Sequence, residues 1–328
     1  MRMLDLDVVA TRGSTVESRH VVHAAVVGAD GSLVAFAGSP DCVAHWRSCA
    51  KPLQVHPFVA SGHFDAVGWG DAELALACAS HGGEPEHVTL ASAMLRSIGL
   101  EEGNLACGAH EPLTPRGAYL LREQGHAPSR LHNNCSGKHS AMLASALGHG
   151  WATLGYELPS HPVQRQIRQS LGRWTGLETG ALDVATDGCG VPVFILSLRQ
   201  MATAYARLAR AAGEEAPARR ILGAMTGHPF LVGGTDRFDT ILMTETAGAI
   251  VAKVGAEGVH TLLVRDGAIG LAVKVADGSP RAQYPAVLRL LQHLGALPAT
   301  LPECLQALLV TPVRDTRGEI VGEVRPAA

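Results

Sequence analysis

His20-Val21-Val22-His23-Ala24-Ala25-Val26-Val27, then Ala29-Asp30-Gly31, then Ser32-Leu33-Val34-Ala35-Phe36-Ala37, reads as two β-rich runs on either side of an Asp-Gly turn. That is a hairpin signature, because Asp-Gly accepts the backbone conformation that a tight turn between twisted strands requires. The pattern returns near the other end, where residues 258–264 precede a turn at Asp266-Gly267 and residues 268–275 close at Asp277-Gly278. Both ends of the chain therefore supply antiparallel strands. Between them the sequence turns helical. Residues 86–98 carry Val88, Leu90, Met94 and Leu95, with Arg96 near the end and Gly99 after it. Residues 162–171 open with Ser160 and Pro162 in N-terminal positions, and 195–212, rich in Ala and Leu, end at Gly213. A last helix is expected over 285–294, with Gly295 as its stop. Independent consecutive domains would not need distant strands to complete each other. The pattern thus predicts one interleaved α/β domain over 1–328, strand-rich at about 5–45 and 236–328 and helical over about 46–235.

The chain has 328 residues, 47% apolar and 17% charged, with a formal net charge of −3. That length supports a sizeable core, and the balance excludes overall disorder and a polycationic nucleic-acid binder. Met1-Arg2-Met3-Leu4-Asp5-Leu6-Asp7 places acids where a secretory signal needs an unbroken apolar run. Apolar stretches such as 24–27 and 262–264 fall far short of the roughly 20 residues that span a bilayer. A cytoplasmic protein with no nucleic-acid or membrane partner is expected, with a homodimer as its assembly. The seven cysteines are an odd, scattered set in a chain that needs no staples, and most are expected to be reduced and buried. Cys135 and Cys189 stand apart, in Gly- and Asn-rich surroundings.

Only four of the 27 basic residues are lysine: Lys51, Lys138, Lys253 and Lys274. A chain that otherwise uses Arg retains Lys where Arg cannot replace it, since a buried ammonium can lose its proton and guanidinium effectively cannot. Ser48-Cys49-Ala50-Lys51 places a hydroxyl and an amine three residues apart, on one face of a helical turn. A desolvated Lys is a base able to activate a serine. Pro52 disfavours helix at Lys51, so the helix is expected to begin only there. Ala79-Ser80-His81-Gly82-Gly83-Glu84-Pro85-Glu86-His87 is a polar, Gly-rich loop ahead of a helix, the kind of segment that displays functional groups. His132-Asn133-Asn134-Cys135-Ser136-Gly137-Lys138-His139-Ser140 is the densest polar run, and Asp187-Gly188-Cys189-Gly190 follows some fifty residues later. Cys135, Lys138 and Cys189 would make a three-ligand zinc site with one open position; His132 and His139 are the more conventional ligand types, and a metal-free set of tight turns is a third reading. Lys253-Val254-Gly255 lies at the edge of the C-terminal strand pair. S-x-x-K followed by K-x-G is the order of serine β-lactamases, though their S-D-N is missing.

Together, Arg47-Ser48-Cys49-Ala50-Lys51-Pro52, residues 79–87, Cys107-Gly108-Ala109-His110, Asn134-Cys135-Ser136-Gly137-Lys138-His139, Asp187-Gly188-Cys189 and Lys253-Val254-Gly255-Ala256 resemble the asparaginase II family, the inducible rhizobial type of L-asparaginase. The resemblance spans most of the chain in order. It implies hydrolysis of L-asparagine to L-aspartate and ammonia on a serine β-lactamase/glutaminase-like α/β fold. It also implies two Ser-Lys pairs, Ser48 with Lys51 and Ser80 with Lys253, and zinc held by Cys135, Lys138 and Cys189. Ser48 is the first choice as nucleophile, with Ser80 as the alternative. Arg47, His81, Asn134 and Asp187 are candidate substrate-binding groups. Two positions depart from the family: Cys49, where Ala is common, and Gly82, where a hydroxyl residue is common and whose absence would remove a substrate hydrogen bond.

Overall fold

A computed structural model describes residues 1–327. The chain divides into two compact units. The first comprises Met1–Cys49, Leu196–Arg210 and residues 252–327; the second comprises Ala50–Ile195 and Ala211–Val251. The first unit is built by the two chain ends, and the second holds the helical middle.

A six-stranded sheet organises the first unit, in the order Arg2–Leu4, Leu33–Ala37, Val22–Val27, Ile269–Val275, Val259–Val264, Ile250–Val254. Its centre is the seam between the two hairpins read from the sequence, with Val26 opposite Leu271 and Ala25 opposite Ala272 in antiparallel register. Ala24, Ala25, Val26 and Val27 are all fully buried, so the strand is continuously apolar because both of its faces are covered. One cover is the helix Leu198–Glu214, which comes close enough that a Cβ on Gly270 would lie 1.9 Å from the Ala202 carbonyl oxygen. The helix Pro280–His293 packs on the same sheet. The edge strand Arg2–Leu4 runs parallel to its neighbour, so the sheet is mixed there and antiparallel elsewhere. A second sheet also joins both ends, with Thr311–Arg314, Ile320–Pro326, Val8–Arg12 and Thr15–His20 in that order.

Several helix boundaries differ from expectation, the helix expected over 162–171 for instance running on to Thr175. Ile195 belongs to the strand Pro192–Ser197, paired opposite Asp183, so the helix begins at Leu198 and carries Gly213 inside its final turn. The helix expected to start at Pro285 starts at Pro280, because a proline in the first turn loses no intrahelical hydrogen bond.

In the second unit, the helix Lys51–Ala60 is buried along nearly its whole length and packs against Ser136–Gly148, Pro162–Thr175 and Ala216–Gly227. Its His56 meets Trp174 edge-on, with ring centroids 4.9 Å apart. No helix among the described residues is long and apolar enough to cross a membrane.

Candidate active site

The 3-10 turn Arg47–Ala50 leads directly into the helix at Lys51. Lys51 is therefore helical, contrary to the expectation from Pro52, whose missing N–H falls in the first turn where no partner was due. Arg47 takes a left-handed backbone, φ 53°, a conformation that costs a non-glycine residue about 1–3 kcal/mol and is typical of functional turns. It turns the chain just before Ser48, which remains partly exposed.

Lys51 is 1% exposed. Its Nζ donates to the Ala79 carbonyl and lies 3.1 Å from Ser80 Oγ and 3.2 Å from the Asn134 carbonyl. Two carbonyls and one hydroxyl thus give the buried Nζ three hydrogen-bond partners drawn from two separate stretches of the second unit. Sequence spacing pointed Lys51 at Ser48 alone; the Lys51–Ser80 contact joins residues 29 positions apart. Lys253, on the strand Ile250–Val254, is fully buried, and its Nζ donates to the Val254 carbonyl at 2.9 Å. The Cys49 thiol donates to the Lys253 carbonyl at 2.9 Å, and a Cβ on Gly255 would lie 2.9 Å from that sulfur. Cys49 thus fills space that Gly255 leaves open.

Cys135 is the residue preceding the helix Ser136–Gly148, which brings Lys138 onto the same face. This helix approaches its neighbour Asp71–Ala77 so closely that a Cβ on Gly137 would lie 2.3 Å from the Leu76 carbonyl oxygen. That contact explains the glycine in Cys-Ser-Gly-Lys-His. Gly190, at φ 91°, closes the turn that carries Cys189, whose sulfur lies 3.1 Å from Lys138 Nζ. The Cys135 thiol is held well below its ordinary range by a hydrogen bond from Cys189 and by the charges of Lys51 and Lys138. Cys189 is pushed up by the same pairing and by burial. Burial disfavours charge on Lys138, but the two sulfurs outweigh it and its pKa rises. No group of three or more His, Cys, Asp and Glu residues is placed to hold a metal among the described residues. Of the two histidines read as conventional ligand types, each has Nδ1 engaged, while His139 Nε2 is buried without a hydrogen-bond partner. His132 Nδ1 accepts from the Ser129 amide at 3.0 Å, and His139 Nδ1 lies 2.6 Å from the Tyr156 hydroxyl.

The other residues singled out in the sequence gather around these groups in the second unit. Asn134 accepts from Lys51 through its carbonyl, and its amide donates to His110 Nε2 at 2.9 Å. The Asp187 carboxylate accepts from the Gly188 amide at 2.8 Å in the Cys189 turn. His81 is fully buried, with Nδ1 accepting from Gly83 and Nε2 2.9 Å from Ser136 Oγ. Burial and the neighbouring His87 and Lys51 keep it neutral. A Cβ on Gly82 would lie 2.5 Å from Thr114 and 3.1 Å from Glu84. A side chain there meets the loop's own support, so the glycine also answers a packing need.

Sequence reasoning assigned no functional role to Thr235, nor to Glu84 and His110, which appear there only within quoted stretches. Glu84 is completely buried, with Thr235, 151 positions away, donating to it twice at 2.7 Å. The signal available was Gly233-Gly234-Thr235-Asp236, an unexplained glycine pair between helical stretches.

A family model described as L-asparaginase II matches residues 8–326. No curated protein matches the chain by sequence. Among solved structures, one described as Mglu in its native form is similar at 16% identity and TM-score 0.45, over 90% of this chain and 69% of that one. A β-lactamase from Mycobacterium bovis is similar at 10% identity and TM-score 0.36, over 84% of this chain and 96% of that one.

Proposed function

The chain belongs to the L-asparaginase II family of amide-bond hydrolases, and from that premise we propose that it hydrolyses L-asparagine to L-aspartate and ammonia through a lysine-activated serine. The observation that supports the reading is the buried Lys51 Nζ 3.1 Å from Ser80 Oγ, with two carbonyls as its other partners, a contact along which a proton held by Lys51 can pass to Ser80. Ser48 is the nucleophile: it is the partly exposed serine, on the turn strained at Arg47, whereas Ser80 is 3% exposed. Lys51, one helical turn on, takes the Ser48 proton as Oγ attacks the side-chain amide carbon. The proton passes through Ser80 to the leaving nitrogen, ammonia departs, and water attacks the acyl-enzyme with Lys51 again as base. Backbone N–H groups stabilise the oxyanion. Lys253, desolvated on its strand, completes the proton relay, and Arg47, Asn134 and Asp187 orient the substrate. His81, with both nitrogens committed, holds its loop in place.

The donor set of Cys135, Cys189 and Lys138 is one zinc can take: two sulfurs and a lysine nitrogen lie together, between 3% and 6% exposed, and binding would displace the Lys138 proton. A bound zinc ion would supply positive charge that orients the substrate. Metal analysis is expected to find zinc in the wild type and little in Cys135→Ala; equal zinc in both refutes these ligands.

Ammonia release from L-asparagine and L-glutamine, beside turnover of a chromogenic β-lactam, tests the substrate. Preferential release from asparagine is expected. Preference for glutamine or the β-lactam makes this another serine amidohydrolase, and no turnover makes it a binding protein.

A further inference from the structure

Glu84 has no part in the chemistry above, yet it is the most completely enclosed carboxylate near it. Its side chain is 0% exposed. The Thr235 amide donates to Oε1 at 2.7 Å, the Thr235 hydroxyl donates to Oε2 at 2.7 Å, and Arg116 Nη1 donates to Oε2. Burial opposes the charge, but these donors outweigh it and hold the carboxyl below its ordinary range. The backbone is shaped to admit it: a Cβ on Gly234 would lie 2.7 Å from Oε1, and Gly234 and Asp236 both take left-handed φ, 114° and 58°. The turn gripped by the carboxylate is also the one that grips Ser80, whose amide donates to the Val232 carbonyl at 3.0 Å. Ser80 and Glu84 are thus two ends of one loop, fastened to two ends of one turn, all within the second unit.

We propose that Glu84 is a positioning residue that fixes Ser80 Oγ against Lys51 by locking the 80–84 loop onto the 232–236 turn. This rests on the serine–lysine reading above, in which Ser80 relays the proton. A buried carboxylate with three donors is a rigid fastening, and removing its charge leaves donors aimed at a weaker acceptor. A displacement of about 1 Å in a proton-transfer group is enough to cost on the order of 10²-fold in rate.

The test uses Glu84→Gln and Thr235→Ala, each alone and combined with Ser80→Ala. Glu84→Gln is expected to lower kcat about 10²-fold with KM changed less than about twofold. In the Ser80→Ala background it is expected to change kcat less than about threefold, since the group it positions is gone. Thr235→Ala, which removes one donor and leaves the charge, is expected to behave alike on a smaller scale. Hydrogen exchange gives a readout independent of turnover: both variants are expected to lose protection at 79–84 and 232–236 and to keep it elsewhere. Unchanged kcat, an equal cost in both serine backgrounds, or unchanged exchange in those segments overturns the proposal. If the wild type releases no ammonia from asparagine, the proposed function fails, and the exchange result alone decides whether Glu84 fastens the loop.

Discussion

Lys51 shows why a lysine survives where the chain elsewhere uses arginine. Its Nζ is surrounded by two carbonyls and a hydroxyl at 1% exposure, an environment in which only a group able to shed its proton can act as a base. Lys51→Arg is therefore expected to lower kcat by about 10²–10⁴-fold, the range of general-base removal. Lys274, whose Nζ donates to the Glu257 carbonyl at 2.9 Å, caps backbone oxygens on a strand. A guanidinium serves that purpose, so Lys274→Arg is expected to keep activity within about twofold. Steady-state ammonia release checks both, and a fully active Lys51→Arg contradicts the base assignment. Lys51 could be singled out in the sequence because S-x-x-K is a local motif, whereas Lys274 sits in none. The Lys51–Ser80 and Glu84–Thr235 contacts could not be read there, because no spacing rule links residues 29 or 151 positions apart.

At the scale of elements, two sites carry the packing. His56 sits inside the buried helix Lys51–Ala60 against Trp174, its Nε2 without a partner, and burial pushes its pKa down to about 4. Because the folded value lies below the unfolded one of about 6.5, the unfolded chain takes the proton first as pH falls, and stability is lost between about 6.5 and 4. His56→Leu is expected to flatten that part of the stability–pH curve by an amount of order 3 kcal/mol, measured by urea unfolding at pH 7 and 4.5. An unchanged slope contradicts it. Gly270 faces the helix Leu198–Glu214 with no room for a methyl group, so Gly270→Ala is expected to cost at least about 1–3 kcal/mol through forced backbone movement. A thermal midpoint equal to the wild type would refute that close approach. The two hairpins that meet at the centre of the six-stranded sheet were legible because their turns are Asp-Gly and their runs apolar, whereas the four strands of the second sheet carry no such signal. The starts of the Leu198 and Pro280 helices were not legible either, because Ile195 fits either a strand or a helix and a proline marks only a permitted start.

Over the whole molecule, the sequence implied that distant ends share a sheet, and the Val22–Val27 to Ile269–Val275 seam is where they do. The division into two units was not legible, because it follows contacts among three separated segments and not a change in composition. The turn Arg47–Ala50 carries Ser48, the proposed nucleophile, and runs without interruption into the helix that begins at Lys51, its proposed base. In the proposed mechanism that turn sets the three-residue spacing between nucleophile and base. The most direct test of that claim is ammonia release from L-asparagine by Ser48→Ala and Ser80→Ala beside the wild type. Ser48→Ala is predicted to abolish turnover and Ser80→Ala to leave about 1% or less, consistent with loss of a nucleophile and of a proton relay. Full activity in both variants would contradict the serine–lysine mechanism.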